Sequence, residues 1–226
     1  MSVHFAKIVQ QAKITFDQCN VIQFAANFSS LQRLMDEMKL DDVQVSPEVV
    51  SRRSFDVPDK APCTFIHIYE CPVFSMSVFI LAENYTMPLH DHPLMHGILK
   101  CLSGSVRVQS YSSVTGEAPS GATPTIPVQM SQPKQLNSNS PAAILTPIEN
   151  NFHEITALAG TGPGAFFDIL SPPYDSPLPA FGKRKCSFYR KNRGLTGDLI
   201  LERISTPLHY YCDNVHYDPP PFLRDD

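Results

Sequence analysis

The chain has 226 residues, 42% of them hydrophobic and 18% charged, with a net charge of −4 and an isoelectric point near 6.0. This balance supplies a core for one globular domain spanning 1–226 and excludes a wholly disordered chain. It also excludes the broad basic field that nucleic-acid backbones require, since the tightest cationic run is Lys183-Arg184-Lys185.

The opening residues lack the apolar core of a secretory leader, and the longest aliphatic and aromatic run, Val78 to Ala82, is too short to span a bilayer. A soluble, cytoplasmic protein is expected, with no nucleic-acid or membrane partner. Six cysteines (Cys19, Cys63, Cys71, Cys101, Cys186, Cys212) without a C-x-x-C pair fit reduced thiols rather than a zinc knuckle or disulfide framework.

Phe5, Ile8, Val9, Ala12 and Phe16 recur at helical spacing. Phe28, Leu31, Leu34, Met35 and Met38 do so again behind the cap candidates Ser29 and Ser30, which predicts two amphipathic helices within 1–45. Short β-rich runs follow at 64–69, 73–82, 105–111, 143–146, 153–158 and 165–170, separated by Pro, Gly and Asn. The fold class is therefore mainly β, a sandwich or barrel behind N-terminal helices. Residues 112–141, rich in Ser, Thr, Pro, Gly and Gln without apolar period, read as a flexible insertion loop. The tail from Thr206, with His209, Tyr210, Tyr211, His216 and Pro219 to Pro221, reads as an extended strap over the barrel.

The segment Met87-Pro88-Leu89-His90-Asp91-His92-Pro93 places two histidines two residues apart. In an extended segment they share a face and can meet one ion, while Asp91 points away. His153 opens a later β-run and can complete a three-histidine set, because a barrel brings distant strands side by side. Taken alone, the pair reads equally well as metal ligands or as a bland pair, an exposed couple or one packing histidine beside one surface residue.

Longer strings narrow the choice. Pro88-Leu89-His90-Asp91-His92-Pro93-Leu94-Met95-His96-Gly97 with Lys100, and Asp168-Ile169-Leu170-Ser171-Pro172-Pro173-Tyr174-Asp175, resemble the cysteamine (2-aminoethanethiol) dioxygenase and plant cysteine oxidase family of cupin thiol dioxygenases. So do His67-Ile68-Tyr69-Glu70 and Ile144-Leu145-Thr146-Pro147; the likeness fails in 112–141 and weakens beyond about residue 195. The resemblance implies a cupin double-stranded β-helix, or jelly roll, with His90, His92 and His153 as ligands of Fe(II). It implies O2 as co-substrate and a thiol beside a free amine as substrate: cysteamine, giving hypotaurine, and/or an N-terminal Cys of a peptide or protein, giving Cys-sulfinate. Oxygen sensing follows if proteins are the substrate. A monomer is expected.

Many cupins add a carboxylate just after the H-x-H pair, but His92 to Gly97 contains none. Neutral ligands leave a divalent ion its full charge and open positions, which favours a thiolate. Imidazoles suit Fe(II), whereas zinc would fit the ligands without performing the redox step.

Asp168 interrupts an apolar strand, where a charge must be paired. It reads either as a strand-end carboxylate bonded to backbone or as a catalytic group orienting a ligand or the substrate amine. Tyr174 reads as a catalytic hydroxyl donor to O2 or product, or as a packing residue on the Pro172-Pro173 turn. His96 is an alternative ligand or a buried histidine, and His67 a core residue. The family's Cys-x-Tyr element appears as Cys186-Ser187-Phe188-Tyr189. Phe188 takes the tyrosine position, and Tyr189 on the opposite strand face does not replace it, so the cross-link of that cysteine to tyrosine is not expected. Two rivals stay open: a cupin isomerase or carbon dioxygenase using another metal, and a non-catalytic cupin binding a ligand or partner through the 112–141 loop.

Overall fold

The computed structural model describes residues 2–116, 125–178, 182–195 and 197–223. Helix α1 (Val3–Phe16) is capped by Ser2, whose hydroxyl accepts the Phe5 N–H, and buries Phe5, Ile8, Val9, Ala12 and Phe16 along one stripe. Helix α2 (Phe24–Glu37) starts earlier than the cap candidates suggest. Ser30 lies inside it and donates to the Ala26 carbonyl one turn back, the alternative bond that makes serine an ambiguous helix signal.

Fifteen strands follow among the described residues: β1 (Cys63–Glu70), β2 (Ser75–Leu81), β3 (Thr86–Asp91), β4 (His96–Ser103), β5 (Ser105–Ser113), β6 (Thr125–Met130), β7 (Lys134–Asn137), β8 (Ala143–Leu145), β9 (Phe152–Ala157), β10 (Gly164–Ser171), β11 (Pro177–Leu178), β12 (Gly182–Lys183), β13 (Phe188–Arg193), β14 (Leu199–Ile204) and β15 (Cys212–Asn214). One sheet runs β15-β1-β2-β10-β4-β8 and a second runs β6-β14-β13-β3-β9-β5-β7. Strand β6 also pairs with β5, closing six strands of the second sheet into a ring and removing most of its open edge. This is the mainly β, double-stranded β-helix barrel expected, with its two helices at the N-terminus.

The insertion expected at 112–141 is not a plain loop. Its described parts contain β6 and β7, with Ile126, Val128 and Leu136 buried, while 117–124 lies outside the described residues. Ile126 and Val128 carry a short period-two signal. Thr125, Pro127 and Gln129 alternate with them and face outward, and that outward half masked the strand in the composition.

Two of the three buried apolar clusters among the described residues hold the layers together, the third joining Leu89, Tyr111, Phe152 and Leu201 within the second sheet. The helices bury Phe5, Ile8, Leu31 and Met35 against Ile66, Val78, Phe167 and Ile169 on the first sheet's outer face. Met87, Leu99, Val106, Ile155 and Phe166 fill the space between the sheets. Strand β10 is buried at every position because both faces are covered. Phe167 and Ile169 face the helices, whereas Phe166, Asp168 and Leu170 line a cavity on the other side. The tail runs along the edge of the first sheet: β15 pairs with β1 in parallel, the Val215 N–H donates to the Phe65 carbonyl, and Asp213 pairs with Lys60 at 2.7 Å. Among the described residues no helix is long and apolar enough to cross a membrane.

Candidate metal centre

Strand pairing brings the three histidines together. His90 on β3 stands directly opposite His153 on β9, and His92 follows just beyond the end of β3. The three rings are buried, with centroids 4.7 to 5.0 Å apart. Their ligand atoms all lie within 4.8 Å of one another, the one such group of three among the described residues.

Each ring is tied from outside. His90 Nδ1 donates to the Pro88 carbonyl at 2.8 Å, and the His153 ring bonds the Asn150 carbonyl. His92 Nδ1 donates to the Tyr174 hydroxyl at 2.8 Å, and that hydroxyl donates its own proton to the Asp91 carbonyl at 2.6 Å. Because the outward nitrogens carry the protons, the three Nε2 atoms face inward as lone pairs. Burial pushes His90 down to about 4; burial and then the neighbouring rings hold His92 and His153 well below the ordinary histidine range. All three are neutral at pH 7, the form a metal ligand needs.

His92 Nε2 and His153 Nε2 are 3.2 Å apart. Two unprotonated nitrogens at that distance repel unless a cation lies between them. Imidazole nitrogens about 2.1 Å from one ion and at right angles lie about 3 Å from each other. The donor set therefore fits a divalent metal ion, an iron site included.

Several residues brace this set, and most were silent in the sequence. Asp91 turns away from the rings, as alternation requires, and its carboxylate accepts the Ser187 N–H at 2.7 Å and the Tyr189 hydroxyl at 2.8 Å. Burial nevertheless raises Asp91 to about 6. Asn151 clamps His92, its Nδ2 donating to the His92 carbonyl at 2.7 Å and to the Thr146 carbonyl at 3.0 Å. Arg184 is buried and bonds the Pro93 and Pro173 carbonyls at 2.8 and 2.9 Å, stapling the turn after His92 to the turn before Tyr174. The only sequence signal for Arg184 was a basic run, which reads as a solvated face. Tyr189 had none, because its use depends on β13 lying beside β3.

A cavity of about 180 Å³ opens on the three histidines, with Asp168, Tyr174, Cys186, Phe188 and Tyr210 in its walls. Asp168 sits within β10 rather than at its end, opposite Ser77 and Leu99, and burial raises its carboxyl to about 7. Tyr174 is in the site, but its proton goes to the Asp91 carbonyl and not into the cavity. His96 is elsewhere, packed on Phe24 and Phe28 at 4.8 and 5.8 Å. His67 is exposed rather than a core residue, because it lies on the face of β1 opposite the helix-covered Ile66 and Ile68. Phe188 faces the cavity and Tyr189 points to Asp91, so the two neighbours have separate positions.

Comparison with known proteins agrees with this geometry. The family model PCO_ADO matches residues 34–222. The 2-aminoethanethiol dioxygenase of Homo sapiens is 35% identical over 185 residues, covering 74% of this chain and 66% of the relative, so the chain spans just under two thirds of that protein. The 2-aminoethanethiol dioxygenase of Mus musculus is 33% identical, with 96% of this chain and 95% of the relative covered. Plant cysteine oxidase 2 of Arabidopsis thaliana is 32% identical over 72% of this chain and 56% of its own length. By the extent of the family match and of these similarities, the chain belongs to the PCO_ADO family, which it shares with 2-aminoethanethiol dioxygenases and plant cysteine oxidases.

Proposed function

We propose that this chain is a single-domain, monomeric, cytoplasmic thiol dioxygenase that oxidises a thiol beside a free amine, either cysteamine to hypotaurine or an N-terminal Cys to Cys-sulfinate. The carrying observation is the inward-facing set of three neutral imidazoles, with no carboxylate among them, lining a partly open cavity. His90, His92 and His153 would hold Fe(II), which would supply the redox chemistry for O2 to convert the thiol to a sulfinic acid with both oxygen atoms on sulfur.

The chain's own groups prepare the substrate. Phe79, Phe166 and Phe188 make the walls apolar and exclude water from the reacting sulfur. Asp168 accepts the substrate ammonium, and that charge offsets the burial that otherwise favours its protonated form. Tyr174 acts through His92, holding the ring and its tautomer. Cys186 is pushed up to about 12, chiefly by burial, so it stays a thiol and does not compete with the substrate thiolate. If protein N-termini are the substrate, the product reports oxygen supply.

The test is anaerobic loading with Fe(II), followed by O2 and either cysteamine or a Cys-initiating peptide. Oxygen uptake matched to loss of thiol is expected from the loaded protein and not from His153→Ala. Equal rates in the two proteins would refute the assignment, and full activity with zinc alone would refute the iron chemistry.

A further inference from the structure

Resting on the thiol dioxygenase reading, we propose that Tyr210, delivered by the C-terminal strap, is a specificity-determining residue that contacts whatever part of a substrate extends beyond its aminothiol unit. Tyr210 is separated from the nearest pocket-wall residue in sequence, Phe188, by more than twenty positions, yet it lines the same cavity as the three histidines. It is half-buried, whereas the histidines and Asp168 are buried, which places it at the mouth rather than the floor.

Its position is fixed from several sides. The Tyr85 hydroxyl donates to the His209 carbonyl at 3.2 Å, and the Tyr210 N–H donates to the Pro207 carbonyl at 3.0 Å. Two residues on, Cys212 sits opposite Cys63 in the β15 and β1 pairing, and Asp213 is held by Lys60 and by the Ala61 N–H. The Tyr210 ring meets Phe188 at a centroid distance of 5.3 Å, and its hydroxyl is engaged by the Cys212 thiol. With the hydroxyl turned to the strap, the ring itself is what the cavity sees.

Cysteamine ends at the carbon that bears its amine, and a cavity of about 180 Å³ can enclose it. A Cys-initiating peptide continues from the equivalent carbon, so its first peptide plane and second residue must leave through the mouth. There Tyr210 offers an aromatic surface against which a planar amide or apolar side chain packs. The contact exists for the longer substrate and is absent for the short one.

The experiment compares the kcat/KM ratio, Cys-initiating peptide over cysteamine, in Fe(II)-loaded wild type, Tyr210→Ala and Tyr210→Phe, with Tyr211→Ala as a strap control. Tyr211 is 54% exposed and outside the cavity wall. Tyr210→Ala should lower the ratio about fivefold, the size of one aromatic contact. Tyr210→Phe and Tyr211→Ala should keep the wild-type ratio. An unchanged or raised ratio in Tyr210→Ala, or an equal fall in Tyr211→Ala, would overturn the assignment by showing no favourable contact or only a general effect of the strap. A wild type that oxidises neither substrate would overturn the dioxygenase reading, and this assignment with it.

Discussion

Tyr174 holds His92 through a directional relay: His92 Nδ1 donates to the phenol at 2.8 Å, and the phenol passes its own proton to the Asp91 carbonyl at 2.6 Å. The relay leaves His92 Nε2 free for a metal. Tyr174→Phe removes it while preserving ring packing against His92 at 5.7 Å. Metal affinity should fall about tenfold, the usual scale for losing an outer partner of a histidine ligand. Competition with a coloured chelator measures this, and an unchanged affinity would show that the relay does not orient the ring.

The three buried imidazoles make the metal-free protein sensitive to acid. His90 has a folded value of about 4 against 6.5 for an ordinary histidine. As pH falls below 6.5 the unfolded chain takes up the proton first, so stability is lost between pH 6.5 and 4, by about 3 kcal/mol for a shift of this size. His92 and His153 add in the same direction. Melting temperatures of metal-free protein should drop across that window, and His90→Gln should drop less.

Asp168 has the opposite sign. Its carboxyl is raised from 3.8 to about 7, so the folded state binds the proton more tightly, and stability is lost as pH rises between those values. In metal-free protein Asp168→Asn should therefore gain stability over wild type as pH rises from 4 to 7.5, by up to about 4 kcal/mol. The same variant should raise KM for substrates carrying an amine. A stability difference that is flat with pH would contradict the assigned direction.

Asn151 and Tyr189 allow a different test, because each satisfies a buried polar group. Asn151→Ala orphans the His92 carbonyl, and Tyr189→Phe removes the hydroxyl from the Asp91 carboxylate. Each should cost about 1–3 kcal/mol in urea unfolding. Substitution of exposed Tyr211 should cost little by comparison.

Much of this site was legible in the residues because it depends on local spacing and long strings. His90 and His92 share a face through two-residue periodicity, and the Asp168 to Tyr174 string marked both cavity residues before any contact was known. Asp91 facing away, and Phe188 separating from Tyr189, follow from the same alternation. What escaped depends on tertiary placement. Arg184 is a buried staple only because two proline turns bring carbonyls to it, and Tyr210 reaches the cavity only because β15 pairs with β1. Strand β6 escapes notice because only Ile126 and Val128 are buried between its exposed Thr125, Pro127 and Gln129, and it sits among Ser-, Thr-, Pro- and Gly-rich flanks. Ser30 misled for the reverse reason: a residue favoured at helix starts can also bond backward within a helix.

The most direct test of the central claim is the mass of the product formed when Fe(II)-loaded protein meets cysteamine or a Cys-initiating peptide under isotopically heavy O2. Two heavy oxygen atoms on the sulfur, absent from the His153→Ala reaction, are predicted. A disulfide, a single labelled oxygen or unmodified thiol from fully iron-loaded protein would contradict the account.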